Sequence, residues 1–317
     1  MSNILVFGFF GKNNLGDQLF IDAFQKLFPQ HTFTFVDHIT KASLNKHYDA
    51  VFIGGGSFLD TQPSFGPGVL DVLCSMPIFY IGVGVETDTH QIHELLMKQA
   101  RLIATRSQDH EKIKEINKNV IYIPDIVYCL EPSKNIKRID KSVLYLPNIH
   151  TIPKFNEPHW AHLSWEYFKH EFAQALDYII DDGYKVDIFA MCKNKTMDDG
   201  WAGIEVSNKM VHRRNYEIEQ PKNCIDLFAQ YSLVITQRYH GIILAEMAKT
   251  PYISIFHHDK LKTSHFNAGL FTSYYETSKA GILNKIYSSN ANGYDGLPIK
   301  SDMYIELQHR VAAVLNG

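Results

Sequence analysis

Short runs that are apolar at nearly every position recur along this chain, separated by stretches with helical spacing. This alternation restricts the fold more than any other feature. In the first half the runs are Ile4 to Gly8, Thr32 to Val36, Ala50 to Ile53, Ile78 to Gly82, Leu102 to Thr105 and Val120 to Ile123. Strands exposed on one face alternate apolar and polar residues, whereas strands covered on both faces do not, so the pattern predicts a parallel sheet wrapped by helices. Helices are expected at Asp17 to Leu27, Gly68 to Cys74, Thr89 to Gln99 and Gln108 to Asn117. A second series follows, with strands at Val143 to Leu146, Lys185 to Phe189, Leu233 to Thr236 and Tyr252 to Ile255. Its helices are expected at Trp165 to Ile180, Ile225 to Tyr231, Gly241 to Lys249 and Lys279 to Tyr287.

Between the series, Glu131 to Lys141 mixes charges with Pro132 and Ser133 and has no apolar period, which marks a linker. The expected organisation is α/β, with two Rossmann-like doubly wound domains, residues 1–135 and 142–317, facing a cleft. Right-handed crossovers put both series into that class, and ligands of such sheets bind beyond the carboxyl ends of the strands. The residues that matter should therefore follow strands directly.

The chain has 317 residues, with 31 Lys and Arg against 34 Asp and Glu. It thus offers no broad basic surface for a nucleic-acid backbone, and any anion it binds must be met by a few placed cations. Four widely spaced cysteines form neither a zinc knuckle nor a redox pair, and no His-x-x-x-His or acidic triplet suggests a metal. A reducing, cytoplasmic location is expected. The apolar opening from Ile4 to Phe10 is broken by Gly11-Lys12-Asn13-Asn14 and reads as a first strand rather than a leader. No stretch approaches membrane-spanning length, which leaves peripheral membrane contact open, and the oligomeric state is not encoded in any recognisable way.

Four clusters follow strands. The first is Gly8 to Asp17, where Asn14, Gly16 and Asp17 precede or open a helix. It lacks the Ser or Thr of a Walker loop and the spacing of a dinucleotide fingerprint, so Asp37 at the end of the second strand is the main support for a nicotinamide site. The second is Gly54-Gly55-Gly56-Ser57 with Asp60, echoed by Gly82-Val83-Gly84. Consecutive glycines are entropically costly, and close passage of a ligand or a helix explains them. The third pairs Arg106 with Asp109 and is followed by Pro124-Asp125; a surface ion pair and a turn are the ordinary alternatives. The fourth is Arg238-Tyr239-His240-Gly241, between a strand and a helix, with His257-His258-Asp259-Lys260 after the next strand. A guanidinium, an imidazole and a helix start converge there, and all three suit an anion. His159-Trp160-Ala161-His162 with Trp165 and Tyr167 reads either as an aromatic platform for a sugar or as core.

Taken in order, these clusters resemble the polysaccharide pyruvyltransferase family. The matching pieces are Gly11 to Asp17, Gly54 to Ser57, Gly82 to Gly84, Arg106 with Asp109, Pro124-Asp125, and Arg238-x-His240-Gly241 followed by Ala245, Pro251 and Lys260. The resemblance implies a GT-B-like fold and transfer of pyruvate from phosphoenolpyruvate, as co-substrate, onto two hydroxyls of a sugar in a cell-surface glycan, lipid-linked or not. It implies no metal and no other cofactor. Catalysis would rest on His240 as acid or phosphate ligand, Arg238, and Asp17 as base. Substrate would be held by Arg106, Lys260, Asn14, Gly16, Gly55, Gly56, Ser57, Tyr239 and Gly241. Replacing Arg238 or His240 by alanine is expected to abolish transfer and leave the fold intact. Two alternatives stand beside this: a nucleotide-sugar glycosyltransferase, with Glu246 where many such enzymes hold the ribose but Arg238 where a second glutamate is usual, and a non-catalytic sugar-phosphate or dinucleotide binder.

Overall fold

A computed structural model of the chain describes residues 1–45, 47–57, 59–84, 89–107, 111–133, 136–213, 224–257, 261, 269–291 and 302–316. The chain divides into two units, Met1–Leu130 with Ile299–Gly317, and Glu131–Pro298.

The first unit carries six strands: β1 (Asn3–Phe7), β2 (Thr32–Val36), β3 (Ala50–Gly56), β4 (Ile78–Val83), β5 (Leu102–Thr105) and β6 (Val120–Tyr122). Helices α1 (Leu15–Leu27), α2 (Val69–Cys74), α3 (Gln91–Gln99) and α4 (Glu111–Ile116) connect them. The strands form one sheet in the order β2-β1-β3-β4-β5-β6, and every pairing is parallel. Side chains alternate along each strand, so the sheet has two apolar faces. Leu5, Phe7, Val51, Ile53, Tyr80 and Ile103 pack with Leu73, Leu96, Met97 and Ile113 of α2, α3 and α4. On the opposite face, Phe52 stacks edge-on against Phe79 and Phe28 and also meets Phe24 of α1. This two-sided burial is why the strands read as continuous apolar runs.

The second unit holds β7 (Ile139–Leu146), α5 (His159–Asp181), β8 (Lys185–Ile188), α6 (Asp199–Ser207), α7 (Cys224–Gln230), β9 (Tyr231–Thr236), α8 (Tyr239–Met247), β10 (Tyr252–Phe256), β11 (Leu270–Ser273) and α9 (Lys279–Ala291). Its five strands are parallel in the order β11-β10-β9-β7-β8. Trp165, Phe168, Phe172 and Leu176 of α5 pack with Ile282 and Ile286 of α9 over Val143, Tyr145, Leu233 and Ile235. In both sheets the strand order reverses beside the first strand, between β1 and β3 and between β7 and β9. Such a reversal splays the outgoing loops apart at the carboxyl edge and leaves a crevice there.

Four elements depart from the sequence expectation. The last helix, α10 (Asp302–Leu315), belongs to the first unit, not to a second domain running to 317. It buries Leu307 and Val311, and its Tyr304 hydroxyl donates to the backbone oxygen of Asp125 at 2.7 Å. Helix α5 begins two turns before Trp165, at His159, so His159-Trp160-Ala161-His162 is helix, with Trp165 in the core and Trp160 and Tyr167 exposed. Strand β11 and helix α6 carry too little apolar pattern to be anticipated. No described helix is long and apolar enough to cross a membrane.

Candidate active site

The second sheet's switch point gathers the strongest cluster. Arg238 stands in an extended conformation (φ −118°, ψ 135°) directly before α8, and Thr236 fixes the turn by accepting from Arg238 N through Oγ1 at 2.9 Å and donating to Arg238 O at 3.0 Å. Tyr239 and His240 occupy the first turn of α8, half-buried, with their rings edge to face at 5.6 Å. Gly241 lets α8 lie close on the sheet: a Cβ there would sit 2.2 Å from Thr236 Oγ1 and 2.7 Å from Leu146. The dipole of α8 adds positive potential beside Arg238 and His240, and Gly241 N closes the first turn by donating to Arg238 O at 3.0 Å.

Behind this rim lies a buried polar network. Arg238 forms an ion pair through Nη2 with Asp199, the first residue of α6, which is completely buried. Asp199 accepts two further bonds, from Ile149 N at 3.0 Å on Oδ1 and from Cys192 N at 2.9 Å on Oδ2. Burial holds the Asp199 carboxyl above the usual carboxylate range, and the Arg238 guanidinium and the two N–H groups offset only part of that rise. Because both oxygens accept N–H donors, the ionised form is the one this geometry holds. Gln237, also fully buried, accepts from Tyr145 Oη and from Asn148 N through Oε1, both at 3.1 Å. Asn148 donates from Nδ2 to Gln237 O at 3.1 Å and lies 3.4 Å from His257 Nε2. Loops after β7, β8, β9 and β10 thus share one hydrogen-bonded core.

The ion pair changes one sequence expectation. Arg238→Ala would strand a fully buried carboxylate, a change that typically costs about 3–5 kcal/mol, so the fold would not be left undisturbed.

The first sheet's switch point carries the glycine clusters. Asn14 caps α1, accepting from Gly16 N at 3.1 Å, and Asp17 lies buried in the first turn. Gly8 and Gly54 allow close approach, since a Cβ on Gly8 would sit 2.3 Å from Gly54 O. Gly55 has φ +80°, a backbone open to glycine at little cost, and it runs against the ring of Phe20. Lys12 pairs with Asp37, which draws the Asp37 carboxyl below the usual range; the carboxylate that would have read a ribose in the nicotinamide alternative is engaged by the chain itself.

Arg106 is found in a different setting from the expected surface pair. Its Nη1 forms an ion pair with Asp125, which is fully buried, and its Nη2 donates to Ser57 Oγ at 2.9 Å. Asp125 in turn accepts from Val127 N at 3.0 Å. Arg106 thereby ties the loops after β3, β5 and β6 together, and Gly84 provides the space, as a Cβ there would sit 2.5 Å from Ser57 Oγ. Asp109, His258, Asp259 and Lys260 lie outside the described residues.

The structure therefore brings Arg238, Tyr239, His240 and Gly241 together on one rim and adds Asp199, Gln237, Asn148 and His257 behind it. In the first unit it brings Asn14, Gly16 and Asp17 to the start of α1, and Ser57 to Arg106. Glu246, the residue weighed for a ribose, is buried and accepts from Tyr252 Oη at 2.8 Å.

Two parallel-sheet α/β domains with these switch points define a GT-B-type architecture, and solved structures of that type share it. A Methanocaldococcus jannaschii UDP-GlcNAc 2-epimerase in complex with UDP-GlcNAc and UDP aligns with a TM-score of 0.63 at 10% identity, over 100% of this chain and 99% of the other. The S. aureus MnaA–UDP co-structure aligns at 0.61 and 12%, over 100% and 97%. The E. coli ADP-heptose lipopolysaccharide heptosyltransferase II aligns at 0.50 and 10%, over 92% and 99%. At these identities the likeness is one of fold. No curated protein matches the chain. The family model for polysaccharide pyruvyl transferases matches residues 14–258, from the cap of α1 to the segment after β10, and the chain belongs to that family.

Proposed function

We propose that the protein transfers pyruvate from phosphoenolpyruvate to a sugar of a cell-surface glycan, such as a capsule or exopolysaccharide unit, and closes a cyclic ketal. The observation that carries this reading is the convergence of Arg238, His240 and the start of α8 at the carboxyl edge of the second sheet. Phosphoenolpyruvate places a carboxylate and a phosphate on adjacent carbon and oxygen, so it calls for several donors at one spot. His240 and the N–H groups of α8 would meet the phosphate, and Arg238 the carboxylate; Lys260, Tyr239, Gly241 and Arg106 are the remaining assigned contacts, with Asn14, Gly16, Gly55, Gly56 and Ser57 on the first unit.

In this reaction His240 delivers a proton to the methylene carbon, which leaves the central carbon electron-poor. A sugar hydroxyl attacks that carbon and gives up its proton to Asp17. The carbon–oxygen bond to phosphate breaks, a second hydroxyl of the same sugar adds to the same carbon, and its proton leaves with the phosphate. Donor cations supply the charge stabilisation, so the reaction is proposed to need no metal or other cofactor and to persist in EDTA. The proposed setting is the cytoplasm, with contact to the inner membrane face when the acceptor is lipid-linked.

A nucleotide-sugar glycosyltransferase is less well supported, because Glu246 is tied to Tyr252 and Arg238 stands where a ribose acceptor would be needed. The test is mass spectrometry of a glycan pool incubated with the protein and phosphoenolpyruvate. A product heavier by pyruvate less water supports the proposal; no such product from any acceptor, together with transfer from a nucleotide sugar, refutes it.

A further inference from the structure

The Arg238 guanidinium is not a free cation that swings to meet a ligand. Asp199 holds its Nη2 edge, and Asp199 is itself fixed by backbone N–H groups from the loops after β7 and β8. Neighbouring Asp198 performs the ordinary capping of α6 by accepting from Gly200 N at 2.8 Å, so Asp199 is not needed for that. A completely buried carboxylate is costly, and apolar replacements of buried ion pairs are often neutral or stabilising. A stability role alone therefore gives Asp199 little reason to be charged. What it does offer is geometry: one side chain joins the loops after β7, β8 and β9, of which β7 and β9 flank the second sheet's switch point, and sets the plane of the guanidinium there.

We infer that Asp199 is a positioning residue that pre-orients Arg238 for an anionic donor, locking one edge of the guanidinium to α6 before any ligand arrives. The inference rests on the proposed donor site and deepens it. Pre-orientation matters because a guanidinium recognises a carboxylate or phosphate through its plane, and misplacing a positioned group by about 1 Å can cost on the order of 100-fold in rate. Asp199 also cancels the charge of Arg238, so discrimination for the donor at this point is geometric, and the phosphate must draw its charge from the other groups of the rim.

The experiment uses the full-length protein labelled with ¹⁵N-arginine. Slow rotation about the guanidinium bonds resolves the Nη resonances of a tethered arginine, and Arg238 is assigned by the signal lost in Arg238→Lys. The expected result is resolved Arg238 resonances without ligand, averaged in Asp199→Asn. In turnover assays Asp199→Asn should raise KM for phosphoenolpyruvate by on the order of 10-fold or more, with KM for the acceptor unchanged, and Asp199→Glu should recover part of the loss. An averaged Arg238 signal in the ligand-free wild type, sharpening only when phosphoenolpyruvate is added, overturns the inference even if Asp199→Asn does not fold. So does an unchanged donor KM in a folded Asp199→Asn. If the wild type shows the tether but does not respond to phosphoenolpyruvate, the donor reading fails, and pre-orientation for that donor falls with it while the tether remains.

Discussion

Acidification should weaken the first unit through one residue. His93 lies on α3, completely buried, with Nδ1 3.2 Å from the Tyr80 hydroxyl. Burial, with a smaller contribution from His90, lowers its pKa from 6.5 to about 4. In the unfolded chain the imidazole takes a proton as pH falls through 6.5; in the folded protein it stays neutral until about pH 4. The unfolded state thus binds more protons in that window, so the stabilisation is fully present above pH 6.5 and is lost as pH falls towards 4. At about 1.4 kcal/mol for each pH unit, the full loss is about 3 kcal/mol, and about 2 kcal/mol is gone at pH 5. The assay is urea unfolding of wild type and His93→Gln between pH 7.5 and 4.5, followed by a probe of the first unit. Glutamine keeps a polar partner for Tyr80 and cannot titrate, so the wild-type advantage should shrink by about 2 kcal/mol between pH 7 and 5. Parallel pH profiles for the two proteins would refute the reasoning.

Other outcomes follow from the same contacts. Arg106→Ala should lower stability by about 3–5 kcal/mol because Asp125 loses its ion-pair partner while fully buried, whereas Arg106→Met with Asp125→Leu should recover much of it, as chemical denaturation would show. Gly241→Ala should reduce Tm, with a cost of about 1–3 kcal/mol, because its Cβ would press on Thr236 and Leu146; an unchanged Tm would mean α8 has room to move. Removing residues 299–317 should destabilise the first unit and leave the second unit's melting unaltered, since α10 buries Leu307 and Val311 there; the two transitions can be followed by calorimetry.

Much of the fold was legible because burial on both faces writes itself directly into composition. Strands β2 and β5 have the bounds that their apolar runs prescribe, and the others differ by a few residues at their ends. What local pattern could not carry was where distant segments go. Nothing in Asp302–Leu315 says which sheet it covers, since an amphipathic helix fits either. Strand β11 is short and half-exposed throughout, so it lacks the run that betrays a covered strand. Helix α6 opens with Asp198-Asp199-Gly200, which announces a cap, yet which acid caps and which turns inward is decided by the partner, Arg238, 39 residues along the chain.

The site shows the same division. Arg238, His240 and Gly241 were legible because a strand end and a helix start bracket them. Arg106 is legible as an important cation, but the sequence offers Asp109 as its nearest partner, whereas the structure pairs it with Asp125, across a helix and a strand. Asp199, Gln237 and Asn148 escape a sequence reading because a buried polar residue looks like a surface residue in sequence; the available signs are that Gln237 and Asn148 follow strands and that Asp199 opens a helix. Lys260 and Asp109 fall outside the described residues.

The most direct measurement is calorimetric titration of the full-length protein with phosphoenolpyruvate and, separately, with UDP, repeated on His240→Ala after its fold is verified by circular dichroism. Saturable binding of phosphoenolpyruvate that is lost or weakened by 10-fold or more in His240→Ala, with no binding of UDP, is the expected result. Phosphoenolpyruvate binding that ignores the substitution, or UDP binding in its place, would contradict the assignment of this rim as the donor site.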